Sequence, residues 1–196
     1  MSKDAIYNTT EALRARLEQT LGADQVYVGP PIKSDVNQMK ASLFMYNVVP
    51  NRDLRNIERI ASASSGSAPN AAGARVTALP VDLRFLISVF RTGTDPKELT
   101  TLGEIMLALH LEPTLSGSIL EGQVVRLTPE PYMVDDLNRI WGLFPEDSYR
   151  TSVVYLASPV FIEAPLALGP PVQSRTLKQG VSADPARASA QEEAAA

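Results

Sequence analysis

The sequence predicts an α/β (α+β) domain built on a single mixed β-sheet, with helices packed mainly on one face of that sheet. Two observations support this fold class. Segments with strand-like alternation are separated by segments with helical spacing, and residues 124–163 contain a strand, a proline-framed turn, an amphipathic helix and a long strand in succession. In addition, 44% hydrophobic content across 196 residues is enough for one sizeable core. The pattern leaves the strand order open.

The first 50 residues predict one helix and two strands. The helix spans residues 4–21 and stops at Gly22, and its apolar face has four residues at helical spacing: Ile6, Leu13, Leu17 and Leu21. A short strand, QVYVG, follows. The segment SLFMYNVVP is apolar on both faces except at Asn47, which is typical of a central strand covered on both sides. Pro50 ends this strand because proline cannot donate to the ladder.

A second long strand begins at residue 81. Five alternating apolar residues point to one face: Val81, Leu83, Phe85, Ile87 and Val89. Three polar residues point to the other face: Asp82, Arg84 and Ser88. Leu86 and Phe90 interrupt that polar face, so we expect the second face of the sheet to be only partly covered.

Two further helices follow. In TDPKELTTLGEIMLALH, Asp95 is the predicted N-cap, with Pro96 at the first helical position and Glu98 at the third. The stripe that we expect to be buried contains Leu99, Leu102, Ile105, Met106 and Leu109. In DDLNRIWGLF, an apolar stripe at i, i+3, i+4 and i+7 should lie against the sheet: Leu137, Ile140, Trp141 and Phe144. Trp141 is therefore assigned to the core and not to ligand stacking.

Composition divides the chain into a globular domain at residues 1–163 and an arm at residues 164–196. Small and polar residues at about 60–78 predict a mobile loop within the domain, because they bury too little apolar area to offset the entropy of ordering. The arm is rich in Pro and Ala. Its first part, PLALGPPV, has apolar residues that are suited to lying along a neighbouring subunit, and its end has nothing to pack.

The residue counts argue against several classes of partner and site. A formal net charge of −4 gives no general attraction to nucleic acid or anionic lipid. With no Cys, the chain has no disulfide, thiolate nucleophile or Cys-ligated zinc. The start, MSKDAIYN, lacks the apolar core of a signal peptide, and no apolar run approaches the ~18 residues that span a bilayer. We expect a protein that is made and kept soluble, without membrane insertion.

No catalytic, cofactor-binding or metal site is predicted. The only histidine, His110, ends a predicted helix, where the helix dipole favours a cation. No G-x-S-x-G segment offers it a serine nucleophile. Asp135 and Asp136 diverge by about 100° on a helix, and their place in its first turn is explained by the dipole. The segment GSAPNAAGA lacks the Lys-Ser/Thr pair of a phosphate-binding loop.

Two segments are candidate partner interfaces. If residues 51–60 are helical, Arg52, Arg55 and Arg59 form one basic face, which is either solvated or contacts an acidic partner surface. The second candidate is the apolar start of the arm. Its residues are Pro165, Leu166, Leu168, Pro170, Pro171 and Val172.

The order of these segments resembles that of the cap, or tail-terminator, proteins of extracellular contractile injection systems, which are phage-tail-like particles of the antifeeding-prophage and virulence-cassette type. The resemblance rests on LTPEPYMVDDLNRIWGLF followed by YRTSVVYLASPVFIE. It extends upstream through LFMYNVVPNRDLRN, LPVDLRFLISVF and GEIMLALHLEPTLSG, and it covers residues 1–165. At Met133 the family favours a capping Ser, so Asp135 and Asp136 must supply the negative charge at this helix start.

The resemblance implies a fold similar to that of phage tail terminators and a structural role without a cofactor. It implies a homohexameric ring that binds the baseplate-distal end of the inner tube and stops polymerisation of tube and sheath, so that the inner tube protein and the sheath protein are its partners. Two alternatives stay open. One is a baseplate or adaptor component of the same particle, and the other is a small-molecule-binding module or enzyme with a dispersed site.

Overall fold

The structure is a computed structural model that describes residues 2–32, 39–55, 59–60, 75–76, 78–90, 97–145 and 147–163. Three α-helices and eight strands lie in these residues. In chain order they are α1 (Ala5–Leu21), β1 (Val26–Val28), β2 (Ala41–Pro50), β3 (Arg59–Ile60), β4 (Arg75–Val76), β5 (Ala78–Val89), α2 (Lys97–Leu111), β6 (Thr114–Leu115), β7 (Val125–Glu130), α3 (Val134–Trp141) and β8 (Ser152–Glu163). The arm predicted at 164–196 lies outside the described residues, so the domain boundary stays a prediction.

Six strands form one sheet in the order β1-β2-β5-β8-β7-β6. β1 runs parallel to β2, and the other four neighbouring pairs are antiparallel, so the sheet is mixed, as the sequence predicts. The two longest strands, β5 and β8, pair at its centre over almost their whole length. β3 and β4 form a separate antiparallel pair. Of the segment predicted as a loop, residues 61–74 and 77 lie outside the described residues.

One face of the sheet, called here the first face, is covered by α1 and α2. Leu83, Phe85 and Ile87 of β5 are fully buried there, as their alternation predicts. They share one cluster with apolar residues of the two helices: Leu13, Leu17, Leu21, Ile105 and Leu109. Burying one side chain of this size stabilises a fold by about 1.5–3 kcal/mol. This cluster is therefore the main core of the domain.

The first helix confirms its predicted face and its predicted end. Leu13 and Leu17 are fully buried. Gly22 has φ 105°, a left-handed conformation that glycine adopts without a Cβ penalty. Two threonines are also buried on this face, because each hydroxyl donates a hydrogen bond to the carbonyl four residues earlier. Thr9 donates to Ala5 at 2.7 Å and Thr10 to Ile6 at 2.9 Å.

α3 packs against the opposite, second face. Its buried stripe of Leu137, Ile140 and Trp141 contacts Leu86 of β5 and Val154 of β8. The Trp141 ring also meets two aromatic rings edge-on. These are Phe144 at 6.0 Å and Tyr149 at 5.8 Å between centroids. The structure thus confirms the predicted stripe, explains why Leu86 interrupts a polar pattern, and places two of the three described helices on the first face.

The predicted burial of α2 is partly wrong. Ile105 and Leu109 are buried and Leu102 packs partly against the core, but Leu99 is 57% and Met106 43% exposed. The reason is that apolar residues cover more of the circumference of this helix than the sheet and α1 can bury. The predicted N-cap, Asp95, and Pro96 lie outside the described residues.

β2 is an interior strand, but its predicted cover on both faces holds only for its first part. Residues 41–43 are buried, Asn47, Val48 and Pro50 are exposed, and the other residues are half-buried. The strand ends at Pro50, as predicted. The apolar run therefore extends beyond the helices that would cover it.

A tyrosine pair joins β2 to the segment before α3. The Tyr46 hydroxyl donates to the Tyr132 hydroxyl at 2.8 Å, and the two rings meet edge-on at 6.4 Å between centroids. Burial, followed by this hydrogen bond, raises the pKa of Tyr46 well above its ordinary value of 10.0. Burial also raises the pKa of Tyr155 on β8. In both cases the folded state favours the neutral phenol.

We predict that Trp141→Ala lowers the free energy of unfolding by about 3 kcal/mol, because it leaves a large cavity between α3 and the sheet. The matched control is Leu143→Ala, two residues along the chain, where a 64% exposed side chain should change stability by less than about 0.5 kcal/mol. Urea unfolding followed by circular dichroism measures both. Equal losses in the two variants would contradict the assigned contact of α3 with the second face.

We also predict a loss of stability in alkali. Because the folded pKa of Tyr46 is raised, the free energy by which its neutral side chain stabilises the fold is fully present below pH 10.0 and is lost as the pH rises above that value. The free energy of unfolding should fall by less than about 1.4 kcal/mol per pH unit, because solvent screens the charge on a half-buried tyrosine ring. Tyr46→Phe should cost about 1 kcal/mol at neutral pH and give a shallower alkaline decline. Parallel declines for the two proteins, in urea titrations between pH 7 and 11, would contradict this assignment.

Candidate partner interface

In the part of the chain that the structure describes, few side chains are placed so that they could form a catalytic or metal site. No group of three or more metal-ligating side chains is assembled among the described residues. His110 is exposed in the last turn of α2, and Asp135 and Asp136 are exposed in the first turn of α3, as the sequence predicts. Met133 makes no capping hydrogen bond, so these two carboxylates supply the charge at that helix end. No described helix is long and apolar enough to cross a membrane.

The charged residues on the open part of the second face are tied to one another across strands. The Arg84 guanidinium of β5 donates to both carboxylate oxygens of Glu130 on β7, at 2.8 Å and 3.2 Å, so the pair spans β8. These hydrogen bonds to the Glu130 carboxylate raise the pKa of Arg84. Asp82 accepts from Asn51 at 2.9 Å and from Ser158 at 2.6 Å. These groups hold the sheet together rather than forming a reactive centre.

One edge of the sheet is open at β2. β1 pairs with β2 only at residues 41–43, and within the described residues no strand pairs with 44–50 on that side. The Asn51 N–H donates to the Pro80 carbonyl on β5. Because the backbone N–H groups of successive residues in a strand point to opposite sides, the Val48 N–H, three residues earlier, points away from β5. Val48 is exposed. This stretch therefore presents backbone hydrogen-bonding groups to a further strand.

The opposite edge offers few backbone donors along the described part of β7. β6 pairs with residues 125–126 of β7, and the Leu127 N–H donates to the Pro113 carbonyl at 2.7 Å. The next residue of β7 that faces outward is Pro129, which has no N–H to offer. This part of the edge therefore suits a partner that binds by apolar contact.

An apolar groove lies between this edge and α2, and we call it the α2 groove. Its volume is about 500 Å³. A smaller neighbouring groove of about 220 Å³ shares Met106, Pro129 and Tyr155 with it. The α2 groove is lined by Met106, Leu107, Leu109, His110, Pro113, Arg126, Leu127, Thr128, Pro129 and Tyr155. Its lining suits an apolar segment and includes one charged side chain, Arg126.

The sequence-predicted interface residues are not brought together as one helical face. Arg52 and Arg55 are exposed in a turn after β2, and Arg59 begins β3. The Asn51 side-chain oxygen stabilises this turn, because it accepts hydrogen bonds from the N–H groups of Asp53 and Leu54. The six arm residues, from Pro165 to Val172, lie outside the described residues.

Sequence reasoning missed both the open β2 edge and the α2 groove. An open edge depends on which strands pair, and no local pattern gives that. The groove had a signal in the sequence. Leu107 and Leu111 lie outside the stripe predicted to be buried, so α2 has more apolar residues than one buried face needs.

Comparisons with known proteins identify both the fold and the family. Among solved structures, the chain is similar to the PVC sheath/tube terminator of an extracellular contractile injection system in its extended state, with a TM-score of 0.60 and 19% identity over 96% of this chain and 69% of that one. It is also similar to the tube-terminating cap of the anti-feeding prophage, with a TM-score of 0.56 and 18% identity over 87% of this chain and 60% of that one. No curated protein matches the chain in sequence.

The fold likeness confirms the predicted fold class, with one mixed sheet in the manner of tube terminators. At 19% and 18% identity this likeness shows the fold alone, and the chain spans only part of each of the two proteins. The sequence match is more specific. Because residues 8–174 of its 196 match the family described as the Pvc16 N-terminal domain, the chain belongs to that family.

Proposed function

We propose that this chain is a structural cap of a contractile injection system, which forms a ring on the baseplate-distal end of the inner tube and stops the growth of tube and sheath. The observation that carries the proposal is the fold likeness over 96% of the chain to a protein described as a sheath/tube terminator. Membership of the Pvc16 N-terminal domain family supports it. The chain acts as a structural part of the particle and not as an enzyme.

The mechanism is steric. A growing tube adds each new ring to the exposed end of the ring before it, so a protein that covers that end removes the site of addition. A closed cyclic oligomer with the symmetry of the tube satisfies all equivalent sites together, and for a six-fold tube this is a homohexamer. The chain is made in the cytoplasm and joins the particle there, with the inner tube protein and the sheath protein as its partners.

Two kinds of surface are candidates for these contacts. Arg52 and Arg55, exposed in the turn after β2, suit an acidic partner surface, and Arg59 of β3 belongs to the same segment. The open β2 edge suits an extended arm of the sheath protein, because an added strand satisfies its outward backbone groups. The two surfaces adjoin one another, since the turn directly follows β2.

We predict that the purified full chain forms a ring of six times the mass of one chain, as measured by native mass spectrometry. Deletion of its gene should leave particles that assemble but have a broad distribution of tube and sheath lengths, and the intact gene should restore a narrow one. A strict monomer at high concentration would contradict the ring. Complete loss of tubes after deletion would instead assign the chain to the baseplate.

The open β2 edge gives a second prediction. Val48→Pro removes an outward N–H without removing a bond between β2 and β5, so it should leave the fold intact and weaken attachment of the last sheath layer at least tenfold. Val48→Thr keeps the N–H and serves as the matched control. Electron microscopy of complemented particles measures the occupancy of that layer. A fully occupied sheath end in the Val48→Pro particles would show that this edge does not bind the sheath.

A further inference from the structure

The exposed face of α2 is an apolar surface without a covering element in the described residues. Four large apolar side chains on this face are exposed: Leu99, Met106, Leu107 and Leu111. At 100° per residue they lie within an arc of about 140°, opposite in direction to the buried Ile105 and Leu109. Gly103 lies near the centre of the arc, and a Cβ built there meets no atom within 4 Å. A partner can therefore approach the helix backbone closely at this point.

The α2 groove beside this face limits the kind of partner that fits. Its floor is formed by Leu127 and Tyr155, and Pro113 and Pro129 stand at its edge. Since Pro129 offers no N–H, an occupant gains little from a backbone ladder here and must bury apolar side chains. No acidic side chain lines the groove. It suits an uncharged, extended segment that contains few hydrogen-bond donors of its own.

Residues 165–172 of this chain have that composition. The segment, PLALGPPV, is uncharged, contains three prolines without N–H groups, and has Leu166 and Leu168 two positions apart. The family match continues to residue 174, eleven residues beyond the end of β8, so the segment belongs to the family's domain rather than to a variable tail. Prolines also reduce the conformational entropy that an extended segment loses when it binds.

We infer that the α2 groove receives the segment Pro165–Val172 of a neighbouring copy of this chain. The inference rests on the proposed ring, and it names the contact that closes it. Each copy would then offer one groove to the copy on one side and insert one arm into the copy on the other. Such a head-to-tail contact is heterologous, as a cyclic ring requires.

The position of the strand end favours a neighbouring copy over the same chain. β8 ends at Glu163, which pairs with the start of β5, whereas the groove lies beside Tyr155, eight residues earlier on β8. At about 3.3 Å per residue these two points are ~26 Å apart. Pro165 follows Glu163 by two residues and reaches only ~7 Å beyond it. The near end of the groove, at Arg126, lies beside Ser158, about 16 Å from Glu163, so Pro165 and Leu166 fall short of the groove of their own chain.

Disulfide trapping tests the inference directly, because the chain has no cysteine of its own. Full-length Met106→Cys and Leu168→Cys chains are mixed, oxidised and separated without reductant. We expect a covalent dimer from the mixture, and a ladder up to the complete ring from a chain that carries both substitutions. Leu143→Cys mixed with Leu168→Cys is the matched control, since Leu143 is even more exposed than Met106, at 64% against 43%, but lies on the second face, and it should give no dimer.

Native mass spectrometry of the same samples separates the two proposals. Rings without a cross-link would overturn this inference and leave the cap function standing, whereas monomers alone would overturn both. An internal cross-link in the doubly substituted chain, with no dimer from the mixture, would show that the arm folds back on its own chain and would also overturn the inference.

A charge in the groove provides a second readout. Leu107→Asp places a carboxylate at a 58% exposed position, so the chain should stay folded but need at least tenfold higher concentration to form rings. Leu143→Asp, equally exposed, should assemble as the parent does. Unchanged ring assembly by Leu107→Asp would contradict a role for the groove in closing the ring.

Discussion

The pairing of β5 with β8 is the constraint on which the rest of the structure depends. These two strands have twelve residues each and occupy the centre of the sheet, and every covering element packs on them or on their neighbours. The odd-numbered residues of β5 from Val81 to Val89 bury against α1 and α2, while Leu86, between them, buries against α3. A slip of one residue would exchange these two faces, so both cores fix the same register.

The two faces are covered unequally, and this inequality produces the surfaces that are available for assembly. The first face buries a continuous cluster under two helices. Among the described residues the second face has only α3, and polar residues such as Arg84 and Asp82 are held there in cross-strand hydrogen bonds. β2 extends beyond its short neighbour β1, and α2 has more apolar residues than the sheet can bury. A domain with such surfaces is suited to being one piece of a larger assembly, because no described element covers this edge or this groove.

Much of the fold could be predicted because it follows from strong local patterns in the sequence. The stripe through Trp141, the alternation along β5 and the stop at Gly22 each reflect a period or a backbone preference that tertiary packing reinforced. The failures concern quantities that no local pattern contains. Met106 matches a helical stripe but is exposed because α2 has more apolar residues than the sheet and α1 can bury, and Arg52 and Arg55 lie in a turn that the Asn51 side chain stabilises. The candidate partner interface was harder still to predict from the sequence, since it depends on strand order and on contacts between copies.

The proposed role of this chain is to close the baseplate-distal end of a tube by covering it as a ring. A cryo-electron microscopy map of the intact particle tests this most directly, since it shows which protein lies at that end and with what symmetry. We expect six copies of this fold in one ring on the last layer of the tube. A tube end without this chain, or this chain at the baseplate, would contradict the claim.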